Sequence, residues 1–192
     1  MKTTKSMLKS TSLGTSLLYV IAGTLLILAI PLVAMQFTTE VNWSATDFVV
    51  MGLLIVGVGL AFVLITRHAG SFVYRLAGLA AIGSTFLLIW VNLAVGQIGG
   101  GPHAGNLMYI GVVAVVMVGT YLSNFTARGM ELTMLATAGS LIVIAGIALL
   151  TGMQHYPGSS VGEIIGVNAF FAFLFSVAAL LFRYERLVKR RN

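Results

Sequence analysis

Six apolar runs, each about as long as a membrane-crossing helix, dominate this sequence. They lie at 14–35, 47–65, 75–96, 107–125, 130–152 and 162–182. A helix crosses the hydrocarbon core of a bilayer in about 20 residues, and only helices and closed barrels satisfy their backbone groups in lipid. The runs therefore predict an all-α fold, a polytopic membrane protein whose six transmembrane helices form one bundle and one domain over 1–192.

Composition supports lipid as the solvent. Charged residues make up 8% of the chain, against about 25% in soluble domains. Cysteine is absent, which excludes disulfides, thiolate metal ligands and thiol catalysis. The net charge of +6 does not point to nucleic acid, because the basic residues stand where a membrane topology requires them.

The positions of the basic residues predict the orientation. All eleven fall on one side of a six-span arrangement: Lys2, Lys5, Lys9, Arg67, Arg75, Arg128, Arg183, Arg186, Lys189, Arg190 and Arg191. The opposite connections, 36–46, 97–106 and 154–161, contain none. Since cytoplasmic loops retain Lys and Arg during insertion, we expect a bacterial-type inner-membrane protein with both termini in the cytoplasm.

The basic C-terminal run, 183–191, predicts an interaction with specific lipids in addition to the surrounding bilayer. It is expected to continue the sixth helix and to hold anionic lipid headgroups. A homo-oligomer or a larger membrane complex stays open as a further assembly.

Ionisable residues are absent from the middle of every apolar run. Because pumps and proton relays place such residues inside the membrane, the pattern argues against both. His103 and His155 lie in different connections and lack the spacing of metal ligands such as H-x-x-x-H. We predict no catalytic residue, no metal site and no cofactor.

Three acids lie near the predicted outer surface: Glu40, Asp47 and Glu163. Ser44-x-x-Asp47 and Ser160-x-x-Glu163 both match the capping box that starts a helix. Capping and a functional role are both open for these two acids, and Glu40 is either a solvated loop acid or part of a site.

Polar and aromatic residues accumulate just beneath the same surface. Asn92 and Asn168 carry amides that need a partner in hydrocarbon, so they bond to each other between helices or to a ligand. Trp43 and Trp90 fit either an aromatic belt at the membrane boundary or the lining of a pocket.

Three segments carry a resemblance to a known family. They are Glu40-Val41-Asn42-Trp43 followed by Asp47-Phe48, then Trp90-Val91-Asn92-Leu93-Ala94-Val95-Gly96, and then Val167-Asn168-Ala169-Phe170-Phe171. With them the chain resembles a family of small six-helix bacterial inner-membrane proteins that has no assigned activity. A glycine run at 99–101 replaces the more acidic connection of that family. The resemblance implies a six-helix membrane protein and supplies no reaction.

The preferred hypothesis is a non-enzymatic protein that binds or transports a small, weakly polar ligand through an outward-facing pocket. Its expected ligand-binding residues come from distant segments but from one side of the bilayer: Glu40, Asn42, Trp43, Asp47, Trp90, Asn92, Glu163 and Asn168. One alternative is a structural or accessory subunit of a larger membrane complex. Another is a membrane-embedded lipid-modifying enzyme that pairs one of the outer acids with His103 or His155.

Overall fold

The computed structural model describes residues 12–68, 70–101 and 103–191, so Lys2, Lys5 and Lys9 lie outside the described residues. Six long helices account for most of that part: α1 (Leu13–Phe37), α2 (Ala45–His68), α3 (Phe72–Ala94), α4 (Met108–Leu122), α5 (Ala127–Leu150) and α6 (Val161–Arg191). Two short 3₁₀ turns, Ala104–Leu107 and Met153–His155, precede α4 and follow α5. The described residues contain no strand.

All six predicted helices are confirmed, and each is long and apolar enough to cross a membrane when the turn before α4 is counted with it. The chain is thus a multi-pass integral membrane protein by helix length and composition. The expected continuation of the sixth helix through the basic run is confirmed, since α6 ends at Arg191. α4 ends early, at Leu122, because Asn124 and Phe125 adopt φ of 46° and 56°, outside the helical region.

The chain divides into two compact units, with the boundary inside α2. Unit 1 is Met1–Val63 and unit 2 is Leu64–Asn192. The expectation of a single domain stays a prediction, and each unit is described by itself.

Unit 1 contains α1 and most of α2, and the two helices approach each other closely at Gly59. A Cβ added at Gly59 would lie 2.6 Å from Cγ1 of Val20, so only glycine allows the two backbones to come this near. Thr24 is the one buried residue of α1. The apolar side chains of this helix therefore remain largely exposed, as is expected of a lipid-facing helix.

Unit 2 is a four-helix bundle in which the contacts close into a ring. α5 packs against α4 and α6, α6 packs against α3, and α3 contacts α4. Its buried core takes a large side chain from each helix: Leu88, Val112, Leu141 and Phe175. The short connections make sequence neighbours antiparallel, so the bundle has two distinct ends.

The two ends differ in composition. The basic end comprises the starts of α3 and α5 and the last turns of α6, with Arg75, Arg128, Arg183, Arg186, Lys189 and Arg190. The glycine-loop end comprises the connections 95–107 and 151–160, which contain seven glycines and no Lys or Arg.

Candidate functional site

The eight residues predicted to bind a ligand are divided between the two units. Unit 1 holds Glu40, Asn42, Trp43 and Asp47, whereas unit 2 holds Trp90, Asn92, Glu163 and Asn168.

In unit 1 the capping interpretation of Asp47 is confirmed. Asp47 Oδ2 accepts hydrogen bonds from the backbone N–H and the hydroxyl of Ser44, both at 2.7 Å, and Ser44 Oγ accepts from Asp47 N at 3.3 Å. This reciprocal pair is a complete capping box at the start of α2. The Trp43 ring lies edge-on to Phe48 at 5.2 Å, and Glu40 and Asn42 are exposed.

Glu163 and Trp90 lie on the surface of unit 2. The N–H of Glu163 donates to Ser160 Oγ at 3.1 Å, so Ser160 caps α6 while the Glu163 side chain stays exposed. The Trp90 ring stacks on Phe86, one turn earlier in α3, at 6.0 Å and is 43% exposed. Trp90 is therefore available to lipid or to a ligand.

Asn168 is buried and has a protein partner on another helix. Its Nδ2 donates to the hydroxyl of Tyr109 at 3.0 Å and to the carbonyl of Ile164 at 2.9 Å. Tyr109, at the start of α4, is also buried and can donate to Asn168 Oδ1 at 3.2 Å. Asn168 thus links α6 to α4, which is the interhelical role considered from the sequence, with a different partner from the one considered there.

Asn92 does not bond to Asn168, because the two amides lie at different depths. Asn92 is in the last turn of α3, whereas Asn168 is seven residues into α6, about 10 Å along the axis. Asn92 Nδ2 instead donates to the backbone carbonyl of Asn106 at 3.2 Å. Its Oδ1 is buried and has no hydrogen-bond partner.

Asn106 organises the connection between α3 and α4. Its Oδ1 accepts from the N–H groups of Gln97 and Ile98 at 2.8 and 2.9 Å, and its Nδ2 donates to the carbonyls of Ile98 and Gly101 at 3.1 and 3.2 Å. Gly96 has φ of +74°, and a Cβ there would lie 2.6 Å from Asn106 Nδ2. The connection is therefore folded around one fully satisfied side-chain amide.

The second connection at this end packs on the first. Gly100 N donates to the carbonyl of Pro157 at 3.1 Å, and the rings of His103 and Tyr156 lie 4.1 Å apart. Because a Cβ at Gly158 would lie 2.6 Å from Gly100 N, the two backbones meet directly. Together the two connections form a single ordered layer over the glycine-loop end.

Unsatisfied polar atoms are concentrated at this end of the bundle. Among the described residues, four buried side-chain atoms here have neither a hydrogen-bond partner nor an ion-pair partner: Asn92 Oδ1 in the last turn of α3, and Gln97 Oε1, Gln154 Oε1 and Ser159 Oγ in the connections. Gln97 is only 2% exposed, and its Nε2 donates to the carbonyl of Leu88 at 2.9 Å. A buried polar group without a partner costs about 1–3 kcal/mol, so each of these atoms is expected to bond to a water or to another bound molecule.

The basic end contains two buried carboxylates that sequence reasoning did not single out. Arg186 Nε and Nη2 bond to the two oxygens of Glu131 at 2.8 and 3.2 Å, a bidentate pair that joins α6 to α5. Glu185 accepts a hydrogen bond from Ser71 Oγ at the start of α3, and its Oε1 forms an ion pair with Lys189 Nζ at 3.0 Å. These contacts explain why α6 stays helical past 182.

Two sequence signals could have revealed this cluster. Glu131 is an isolated acid at the start of a predicted span, on the side that carries all eleven basic residues and only one other acid, Glu185. Glu185 and Lys189 have the i,i+4 spacing of helical ion pairs.

At the opposite end, Asn106 could have been noticed as a lone amide after a glycine run, since Asn readily bonds to the backbone of turns.

Neither a metal centre nor a known relative defines the site. Within the described ranges, no group of three or more His, Asp or Glu side chains could hold a metal ion. No family model, no curated protein and no solved structure matches the chain. The class of protein, a multi-pass integral membrane protein, therefore rests on its own helices.

Proposed function

We propose that this protein is a non-enzymatic membrane protein that binds or transports a small, weakly polar ligand at the glycine-loop end. The observation that carries the proposal is the presence of four buried, unpartnered polar atoms at this end, three in the two connections and one on Asn92 in the last turn of α3.

The chemistry of these atoms suggests the kind of ligand. The free atoms of Asn92, Gln97 and Gln154 are amide oxygens, which only accept hydrogen bonds. A ligand that satisfies them carries N–H or O–H donors. The surroundings are apolar, with Leu88 and Ile98 fully buried, and neither connection contains a charged residue. A neutral molecule with a few donors and an apolar body fits such a site.

The proposed site keeps Trp90 and Asn92 from the sequence prediction and adds Gln97. Asn168 has a supporting role in this proposal, because its donors are used by Tyr109 and Ile164. The membership of Glu40, Asn42, Trp43, Asp47 and Glu163 in a binding surface remains a proposal from the sequence pattern.

The orientation belongs to the same proposal. In a bacterial-type inner membrane the basic end would face the cytoplasm, together with both termini, and the glycine-loop end would face outward. Supporting this, the basic residues of unit 2 lie at one end of its antiparallel bundle and the opposite connections contain none.

Native mass spectrometry of protein extracted in mild detergent tests the binding proposal. Wild-type protein should retain a small-molecule adduct. Gln97→Met and Asn92→Leu each remove the free acceptor, together with one donor to a backbone carbonyl, with little change of volume. Each should lower retention about three- to tenfold. Thr151→Val is the matched control, because Thr151 lies at the same end but its hydroxyl already bonds to Ile147 O in its own helix. Equal retention by all four proteins, or no adduct on wild-type protein, would contradict the proposal.

A second candidate, an accessory subunit of a larger membrane complex, is favoured by the exposure of unit 1. In the most apolar stretch of α1 and of α2 only 6% of residues are buried, against 28–39% in the four later helices. A partner helix packed on α1 would explain this. Purification in mild detergent separates the candidates: a stoichiometric protein partner without a small-molecule adduct favours the accessory role.

A further inference from the structure

At the basic end of unit 2 the acids are buried and the arginines are exposed. The carboxylates of Glu131 and Glu185 are both within the bundle, paired with Arg186 and Lys189 respectively. By contrast, the side chains of four arginines at this end are exposed: Arg75, Arg128, Arg183 and Arg190. The outward-facing charge of this end is therefore positive, with no exposed carboxylate beside it in unit 2.

The helix register brings three of these arginines to one groove, between the start of α5 and the end of α6. The Glu131–Arg186 pair fixes the register of the two antiparallel helices. Arg128 lies three residues before Glu131, which places it level with Lys189 and Arg190.

Arg183 and Arg190 lie on the same side of α6. Arg186 comes three residues after Arg183 and four before Arg190, and this spacing places all three on one side of the helix. Because Arg186 contacts α5, that side borders the α5–α6 groove.

We propose that this groove, bordered by Arg128, Arg183 and Arg190, binds the phosphate of an anionic phospholipid. Guanidinium groups match phosphate oxygens with two parallel N–H donors. Arg186 is left out of the site, since Glu131 binds its Nε and Nη2 and neutralises its charge, and Lys189 is partly neutralised by Glu185. The carboxylate pairs instead hold the last turns of α6 in register with α5.

The apolar side chains next to the groove favour a lipid over a soluble phosphate. Leu132 and Leu135 on α5 and Leu180 on α6 are exposed, and each lies further along its helix from the basic end than the arginines do. A phospholipid has the matching arrangement, an anionic head with acyl chains that extend toward the bilayer centre. The sequence assigned lipid binding to the whole basic tail, whereas the geometry selects two of its arginines and adds Arg128.

The test begins with the full-length protein in nanodiscs of mixed phosphatidylglycerol and phosphatidylcholine. The protein is transferred into detergent, and native mass spectrometry measures which lipids it retains. We expect wild-type protein to retain phosphatidylglycerol selectively. Arg128→Gln and Arg190→Gln should each weaken this retention about fivefold, which corresponds to about 1 kcal/mol. Arg75→Gln removes an exposed arginine of the same end on α3 and should change retention less than about twofold.

Four results would overturn the proposal. If Arg75→Gln loses as much phosphatidylglycerol retention as Arg128→Gln and Arg190→Gln, the positive surface potential acts without a localised site. Displacement of the lipid by a large excess of inorganic phosphate would assign the groove to a soluble phosphate. Equal retention of phosphatidylcholine would remove the role of charge. Arg128→Lys and Arg190→Lys keep the charge but lose the paired donors of the guanidinium group. Weaker retention in these folded variants therefore supports the proposal even if a Gln variant unfolds, whereas wild-type retention in them would assign the binding to charge alone.

Discussion

The two ends of the four-helix bundle in unit 2 handle buried polar groups in opposite ways. At the basic end, Glu131 and Glu185 contact a basic partner and, for Glu185, a serine as well. At the glycine-loop end the buried groups are neutral amides and a hydroxyl, and four of their atoms have no partner.

This difference distinguishes structural support, at the basic end, from a capacity to accept further hydrogen bonds, at the glycine-loop end. A paired buried charge is strongly destabilising to break, because its partner is then left uncompensated. A neutral amide with a free oxygen can accept a hydrogen bond from a water or from a ligand group that takes the place of that water. The basic end thus holds helices together, whereas the glycine-loop end retains acceptors for the proposed ligand.

Removing one partner of the buried ion pair should have the largest effect. Glu131→Ala leaves the guanidinium of Arg186 partly buried without its carboxylate, and we expect a loss of about 3 kcal/mol in the free energy of unfolding. Thermal unfolding in detergent measures it. Glu163→Ala is the control at the other end, where the exposed carboxylate should contribute less than about 0.5 kcal/mol. Similar losses for both variants would break the contrast between the ends.

Removing the amide that organises the glycine-loop end should have a local effect of intermediate size. Asn106→Ala leaves the N–H groups of Gln97 and Ile98 without acceptors, so their hydrogen exchange should accelerate about 30-fold, or about 2 kcal/mol. Hydrogen-exchange mass spectrometry of the peptide over 95–107 reads this, with α5 as the internal reference. Unchanged protection of that peptide would show that Asn106 does not hold the connection.

Two capping serines, one at each end, sharpen the comparison. Ser71 caps α3 and also donates to the buried Glu185, whereas Ser160 only caps α6. Ser160→Ala should cost about 1 kcal/mol of unfolding free energy. Ser71→Ala should cost about 1 kcal/mol more, because a hydrogen bond to a charged group is lost as well. Equal costs would mean that the Ser71–Glu185 bond adds nothing to stability.

The smallest expected effect concerns the satisfied pair near the glycine-loop end, Tyr109 and Asn168. A double-mutant cycle with Tyr109→Phe and Asn168→Ala should give a coupling energy of about 0.6–1 kcal/mol, typical of interhelical hydrogen bonds in membranes. Unfolding of the two single variants and the double variant provides the cycle. A coupling near zero would exclude Asn168 as a link between α4 and α6.

The helices could be predicted from the sequence, but most of the side-chain pairs could not. Length and apolar composition fix where a chain crosses lipid, so the six runs were confirmed, and the basic run after the last of them continues α6 as expected. The capping box at Asp47 was predictable because Ser44 is only three residues away.

Pairs between helices depend on register, which the sequence leaves open. Glu131 and Arg186 are 55 residues apart, and Tyr109 and Asn168 are 59 apart. Nothing in either local pattern names the partner. Asn92 and Asn168 each follow a valine in the sequence. Their positions along α3 and α6 nevertheless give them different partners.

A structure in lipid nanodiscs tests the central claim, that the glycine-loop end holds a ligand. The account predicts non-protein density, larger than one water, within about 2.7–3.2 Å of Gln97 Oε1 or Asn92 Oδ1. Loss of this density in the Gln97→Met variant, with the connections still folded around Asn106, would show that the Gln97 amide binds the ligand. If both oxygens bond only to protein groups or to single waters, the claim is contradicted, and the accessory role becomes the better account of this protein.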